Sequence, residues 1–265
     1  MNKQPSRFTI MAAGAKRSGK SQFFNNIVGK NIIPNDSPND INVYMLNLDC
    51  EGVMQKITFV DTPGFGDKDT ETIQNNIVDF IKDQFDQYME EESKIRRNPK
   101  YEDTRVHCLL YFLPATGYGL KQSDLIFLEK VKNLVNIIPV ISKADGLTPE
   151  DKEEYKKFVK NQFEMYSIPV FDLENHELLL DDVADLNLNS HVPFAVINGE
   201  DEKIKNINGL TIEVDNPNFN DLSVLREILL SSHLDAFIDV TSTVLYENYR
   251  TNALESALND NKRNY

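Results

Sequence analysis

A doubly wound α/β fold, with a mostly parallel sheet and one antiparallel edge hairpin, is predicted by three observations. Apolar runs of strand length alternate with helix-spaced segments throughout the chain. Residues 106–113 and 135–141 are apolar apart from His107 and Asn136, as strands covered by helices on both faces should be. Residues 42–49 and 55–60 alternate instead, with Glu51-Gly52 between them, which describes a hairpin at a sheet edge. The 265 residues suffice for one large domain with a full core. No internal repeat, low-complexity segment or domain boundary breaks the pattern.

The first strand is read over 8–13 and leads into Gly14-Ala15-Lys16-Arg17-Ser18-Gly19-Lys20-Ser21. This stretch has the spacing Gly, four residues, Gly, Lys, Ser, and residues 22–28 then begin a helix. Strand, glycine turn and helix in that order give the spacing its meaning. The free N–H groups of the turn and of the helix start converge on one point, which binds the oxygens of a polyphosphate. Lys20 would reach the β and γ phosphates, and the Ser21 hydroxyl would ligate Mg²⁺.

Residues 34–40 are a polar loop with two prolines, followed by the hairpin. Ile73, Ile77, Phe80, Ile81, Phe85 and Tyr88 recur at helical spacing, so a long helix runs to about Ile95 and is stopped by Asn98-Pro99. The strand over 106–113 follows. Ser123 is the expected N-cap of a helix over 124–133, and 135–141 is the next buried strand. Thr148-Pro149-Glu150-Asp151 starts a helix with proline at its first position, and Tyr155, Phe158, Val159 and Phe163 share one face of it. A short strand is read at 168–171, and a helix and loop around an apolar 178–180 at 175–189. The last central strand is 194–197, an outlying strand pair follows in 207–216, and two helices close the chain from about Asp221.

Lys and Arg number 28 against 42 Asp and Glu, a net charge of −14. Such a surface repels nucleic-acid backbone and anionic lipid unless a local basic patch is built, so no nucleic-acid partner is expected. Cys50 and Cys108 both lie in apolar runs and read as reduced core thiols, with neither a disulfide framework nor zinc spacing. No run approaches the length of a membrane span and the N-terminus lacks a signal-like apolar region, so the expected compartment is cytosolic or nuclear.

Two further segments complete a site. Asp61-Thr62-Pro63-Gly64 ends the second hairpin strand, where an open α/β sheet places its ligands. There Asp61 would hold Mg²⁺ through water while the Gly64 N–H meets a γ-phosphate. Ser142-Lys143-Ala144-Asp145 ends another buried strand. The Asp145 carboxylate can accept from both N1–H and the 2-amino group of guanine, a pair adenine does not offer, and the Lys143 stem can lie over the base. The ligand expected is GTP or GDP.

At this point the chain resembles the septin family. The resemblance is carried by Asp103-Thr104-Arg105-Val106-His107-Cys108-Leu109-Leu110-Tyr111-Phe112-Leu113-Pro114 and by Val135-Asn136-Ile137-Ile138-Pro139-Val140-Ile141-Ser142-Lys143-Ala144-Asp145. Residues 61–67, Arg96-Arg97-Asn98-Pro99 and Leu245-Tyr246-Glu247-Asn248-Tyr249-Arg250 extend it to roughly 8–252. It implies a phosphate-loop GTPase fold of septin type that polymerises with other septin subunits through two alternating faces. One face buries the nucleotide, and the other is built by the terminal helices. On that frame, 1–7 is a short N-terminal segment and 8–265 a septin-type G domain, with 199–216 a shortened septin-specific strand region and 221–265 the C-terminal helices. Nucleotide-binding positions are Gly14, Arg17, Ser18, Gly19, Lys20, Ser21, Gln22, Gly64, Lys143, Asp145 and Gly199; the metal side is Ser21 and Asp61. The implied setting is a cytoskeletal ring or scaffold at the cell cortex, in division or morphogenesis.

The sequence also departs from the family. No threonine occurs between Thr9 and Thr58, so only Ser37 offers a hydroxyl in the loop where active GTPases place a metal-binding Thr. Phe65 stands where small GTPases carry a water-orienting Gln. Positioning and charge stabilisation make up nearly all of phosphoryl-transfer catalysis, so hydrolysis is expected to be very slow or absent. Gln22 replaces a Thr that faces the α-phosphate in the family, and Tyr118 follows Gly117 in place of a histidine that reaches the neighbour's nucleotide. The family's base-stacking Arg and interface Trp are both missing, and the chain holds no Trp at all. Lys94, Arg96, Arg97 and Lys100 form the one dense basic run, read either as a weak contact to anionic membrane or as charges at a helix end. No heptad pattern follows Tyr249. Three readings follow: a nucleotide-binding filament subunit without turnover, a nucleotide-free interaction module, and an active GTPase switch. Identifying any nucleotide released on denaturation separates them.

Overall fold

β1 (Arg7–Gly14) runs through the middle of a six-stranded sheet, and every residue after Arg7 is buried because helices cover both faces. The computed structural model describes residues 7–34, 38–50, 52–66, 69–96, 98, 101–115, 118–179, 187–199, 204–207, 210–213 and 220–263. The strand order is β2 (Asn42–Cys50), β3 (Val53–Asp61), β1, β4 (Cys108–Pro114), β5 (Asn136–Ser142), β6 (Phe194–Val196). All neighbours are parallel except β2 and β3, whose nine-residue ladder forms the edge hairpin. β6 is the other edge rather than a central strand, and it spans only three residues.

Alternation along each strand sends side chains to two separate cores. Phe8, Ile10 and Ala12 point to a core shared with Phe23, Phe24 and Ile27 of α1 (Lys20–Val28) and with the C-terminal helices. Met11 and Ala13 point to the other, shared with α2 (Thr70–Ser93), α3 (Gln122–Val131) and α4 (Pro149–Met165). Helices on both faces of a mostly parallel sheet are the doubly wound architecture expected.

Boundaries differ from expectation for identifiable reasons. β4 begins at Cys108, because the His107 ring takes the Thr9 N–H at 3.0 Å where a ladder carbonyl would stand. α3 begins after Lys121, not Ser123, since the Asp124 carboxylate reaches back to the Lys121 N–H at 2.9 Å. Thr148 caps α4 as expected, accepting from the Asp151 N–H at 3.2 Å. Phe158 on α4 is 44% exposed, so the buried face is Tyr155, Val159 and Phe163. Residues 168–171 make one bond to the sheet, Phe171 N–H to the Ile137 carbonyl at 3.0 Å, and form no strand. Leu178 is half exposed, so the apolar core read at 178–180 does not form around it. The rest of that stretch, residues 180–186, lies outside the described residues.

The outlying pair is β7 (Ile204–Ile207) with β8 (Leu210–Glu213), antiparallel and starting three residues earlier than read. The chain then closes with α5 (Leu222–Glu227), a wide π turn, α6 (Leu234–Val240), a second π turn over Thr241–Tyr246, and α7 (Glu247–Arg263). Buried Arg105 fixes this end: it pairs with Asp103 at 2.7 Å, lies 3.7 Å over the Tyr88 ring of α2, and donates to Ser242 at 3.0 Å. Tyr246 and Tyr249 donate to Glu92 and Asp86 of α2 at 2.6 and 2.8 Å. Cys108 is a buried free thiol; the Cys50 side chain lies outside what is described. Among the described residues no single helix is long and apolar enough to cross a membrane.

Candidate nucleotide site

Four chain segments leave the C-terminal ends of β1, β3, β5 and β6, on one edge of the sheet. The register places them together: Gly14 pairs with Phe112, Pro114 with Ser142, and Ser142 with Val196. Ligands of open α/β sheets bind at this edge.

The phosphate loop leaves β1 at Gly14, with φ of 134°. A Cβ there would stand 2.2 Å from the Phe112 carbonyl oxygen, so the turn toward the loop requires glycine. Arg17 is left-handed as well, at φ 59°, a conformation that costs a non-glycine residue of the order of 1 kcal/mol. Such strain gathers at functional sites. Lys16 and Arg17 are both exposed. Left-handed Gly19 then opens α1, whose first N–H groups have no intrahelical acceptor and face outward along the helix axis.

Lys20 is buried beside this turn, its ammonium 3.1 Å from the Ala15 carbonyl. Burial lowers its pKa to about 8, with the Asp61 carboxylate working against the shift. The Ser21 hydroxyl donates to Asp61 Oδ2 at 2.5 Å. Burial raises the Asp61 pKa, opposed by the bond from Ser21 and the charge of Lys20. Asp61 Oδ1 and the Ser18 hydroxyl are buried without a hydrogen-bond partner. Orphaned polar atoms of this kind beside a buried ammonium fit a polyphosphate and a cation. Ser21 and Asp61 would hold the cation. Among the described residues no cluster of three His, Cys, Asp or Glu could hold a metal ion.

Thr62 anchors the second segment by donating to the Ala12 carbonyl at 2.8 Å. Gly64 lies against the main chain of Lys16. Phe65 is buried and points away from the loop, edge-on to Phe127 at 5.1 Å. Lys143 is exposed and left-handed at φ 57°, starting the short turn Ala144–Gly146 in which Asp145 is half-buried. Tyr118 is 79% exposed, while Thr116, Gly117, Ser37, Arg97 and Lys100 lie outside the described residues. Of the basic run, Lys94 is spent on ion pairs with Glu91 at 2.9 Å and Glu90 at 3.7 Å.

The fourth segment holds residues whose part the sequence did not disclose. The Gln22 amide donates to the Gly199 carbonyl at 2.7 Å, and Asn198 donates to the Gly19 carbonyl at 3.0 Å while accepting from Asn26 at 3.2 Å. Gln22 and Asn26 are one helical turn apart, so their shared face was the available signal. Behind them, Asn220 pairs with both main-chain groups of Ile197, at 3.0 and 2.8 Å. Asp221 accepts from Ala195 N–H at 2.7 Å and pairs with Lys156 at 2.7 Å. Two clefts of about 390 Å³ open beside the start of β5, at the opposite edge of the sheet.

Comparison with known proteins fits this arrangement. The Septin family model matches residues 4–263. The chain is 51% identical over 263 residues to Cell division control protein 11 of Encephalitozoon cuniculi, covering 97% of this chain and 98% of that one. It is 34% identical to Cell division control protein 11 of Saccharomyces cerevisiae, covering 93% of this chain and 66% of that one. The crystal structure of Cdc11 from Saccharomyces cerevisiae superposes with a TM-score of 0.66 at 30% identity, covering 93% of this chain and 99% of that one. With the sheet order and the strand–loop–helix at residues 7–28 in place, these matches settle the family: the chain is a septin.

Proposed function

We propose that this septin binds a guanine nucleotide as a structural part and assembles with other septin subunits, with hydrolysis very slow or absent. The observation that carries this reading is the direction of Phe65. Its ring is packed in the core against Phe127, so the position after Asp-Thr-Pro-Gly presents no polar group to a water. With no threonine in the preceding loop either, both water-placing groups are missing. Lys20, Ser21 and the first N–H groups of α1 would hold the phosphates; Asp61 and Ser21, Mg²⁺; Asp145 and Lys143, the base. Binding energy then appears as stability of the fold and of any interface those loops join.

A role in a cortical septin ring or scaffold, with partners drawn from the same family, is supported by the naming of relatives for cell division control. Weak contact with anionic membrane through Arg96 and its neighbours belongs to the same proposal. A net charge of −14 argues against a nucleic-acid partner. The second reading, a nucleotide-free interaction module, is favoured by Gln22, whose amide is spent on Gly199.

The test is to denature the purified protein, identify any nucleotide released, and then follow phosphate release in a single turnover of added GTP. Bound GDP or GTP with no release above background is expected. Release at a rate typical of GTPase switches overturns the absence of turnover. No resident nucleotide, together with no thermal shift on adding GDP or GTP, favours the interaction module.

A further inference from the structure

We infer that the outer edge of β2 is a docking site for an extended, basic segment of a partner protein, which would join the six-stranded sheet as a further strand.

β2 ends the sheet, and its nine residues pair with β3 in one unbroken register from Asn42–Asp61 to Cys50–Val53. In an antiparallel ladder every second residue turns its N–H and C=O away from the partner strand, so about four residues of β2 present these groups at the edge. Among the described residues no main-chain hydrogen bond joins β2 to any segment other than β3. Sheet edges are ordinarily protected by shortness, a bulge, a proline, a lysine or a covering segment. β2 is long, has no bulge, and contains neither proline nor lysine. The opposite edge of the same sheet is built the protected way, since β6 spans only three residues.

Side chains beside this edge set the chemistry of the occupant. Val43 and Met45 are 43% and 61% exposed on one face of the hairpin. Met54 of β3 stands opposite Asp49, hence on that same face, and is 53% exposed. Flexible thioether side chains of this kind adapt to varied apolar partners. On the other face Tyr44, Leu46 and Leu48 are half-buried against the core that holds α1. Apolar side chains of an added strand would complete their burial.

Charge then selects between occupants. Between Lys30 and Lys56 the chain holds no Lys or Arg but four Asp or Glu, and Asp49 is the one charged residue of β2. Lys56, the one cation of β3, gives its ammonium to Glu102 at 2.7 Å. A second copy of this chain, of net charge −14, would bring two such acidic edges together. A segment carrying Lys or Arg among its apolar residues meets opposite charge instead.

The test is fluorescence anisotropy of labelled nine-residue peptides with the full chain. In the probe, valine alternates with lysine or threonine; one control has glutamate for every lysine, and the other has proline for the central valine. The probe is expected to bind at least about tenfold more tightly than either control. Hydrogen exchange at saturating probe should show added protection concentrated in β2. Met45→Lys puts the missing lysine on the edge without touching the core, and should weaken the probe at least about tenfold. Ile126→Lys, at an exposed position of α3, should leave probe binding unchanged, and thermal unfolding checks that both variants are folded. No binding of any peptide, equal binding of the probe and either control, or unchanged exchange in β2 would overturn the docking site. Self-association of the chain that Met45→Lys abolishes would overturn the choice of a basic partner in favour of a second copy.

Discussion

Gln22 and Gly199 lie 177 residues apart in the chain and are joined by a 2.7 Å hydrogen bond from the glutamine amide to the glycine carbonyl. Together with the bond from Asn198 to the Gly19 carbonyl, it ties the first turn of α1 to the exit of β6. The N-terminal end of α1 and the segment that follows β6 are therefore one hydrogen-bonded unit. Its base is held by Asn220, ahead of α5, through the main chain of Ile197.

Gln22→Ala should cost about 1 kcal/mol of unfolding free energy, the usual net worth of one part-buried hydrogen bond. Gln22→Glu should cost more, because a carboxylate would face the Gly199 carbonyl with no proton to donate. Urea unfolding monitored by circular dichroism measures both. Identical midpoints for the two variants and the wild type would mean that the bond holds nothing together.

Arg226 on α5 donates to the Asn26 and Ile27 carbonyls at 2.7 and 3.1 Å, capping the C-terminal end of α1. Cations at that end also meet the negative pole of the helix. Arg226→Ala should therefore destabilise the chain by about 1.5–3 kcal/mol, as expected for hydrogen bonds from a charged donor. Arg226→Lys should recover part of this, since it keeps the charge but cannot reach two carbonyls in a fork. Thermal unfolding of the three proteins in one buffer provides the ranking, and a lysine variant weaker than the alanine one would contradict it.

The fold was legible because each structural cue was local. Predominantly apolar runs marked β4 and β5, alternation marked β2 and β3, and Thr148-Pro149 marked the start of α4. The turn between β1 and α1 was legible for the same reason, since it is written in eight consecutive residues. What sequence could not supply was long-range hydrogen bonding by amides. Nothing local says that Gln22 would meet Gly199, that Asn220 would bracket Ile197, or that the His107 ring would replace a ladder carbonyl. Likewise Phe158 fits a helical stripe with Tyr155 and Val159, yet it lies at the edge of the buried face and remains partly in water.

Acid stability should depend on Asp103. Burial acts to raise its pKa, but bonds from His107 and Arg105 outweigh this and hold the carboxyl below its ordinary range. A carboxyl whose folded pKa lies below its unfolded value contributes stability that is complete above the unfolded pKa and is lost as pH falls toward the folded one. The chain should therefore lose stability as pH drops below about 5. Asp103→Asn should be weaker near neutral pH by about 3–5 kcal/mol, because Arg105 is left buried without its counter-charge. The same variant should show a shallower acid limb, since one carboxylate no longer takes up a proton on unfolding. Unfolding free energies measured from pH 7 to pH 3 test this, and parallel limbs for the two proteins would remove Asp103 from the account.

Nucleotide affinity should fall on the alkaline side because of Lys20. Burial lowers the pKa of this ammonium to about 8, against the attraction of Asp61, so it deprotonates well below an exposed lysine. Phosphate oxygens favour the charged form, so binding above pH 8 must be accompanied by proton uptake. Linkage then requires affinity to drop by up to about tenfold for each unit of pH once Lys20 is neutral in the free protein. The sign is fixed: affinity is full below pH 8 and declines above it. Lys20→Arg separates this from titration elsewhere, because a guanidinium stays charged throughout the range. That variant should bind more weakly at neutral pH, through lost fit, and yet show a flatter profile between pH 7.5 and 9. Titrations with a fluorescent guanine nucleotide would show the difference. A wild-type affinity constant across that range would mean that Lys20 does not face the phosphates, and the loop would lose the charge on which its reading as a nucleotide clasp depends.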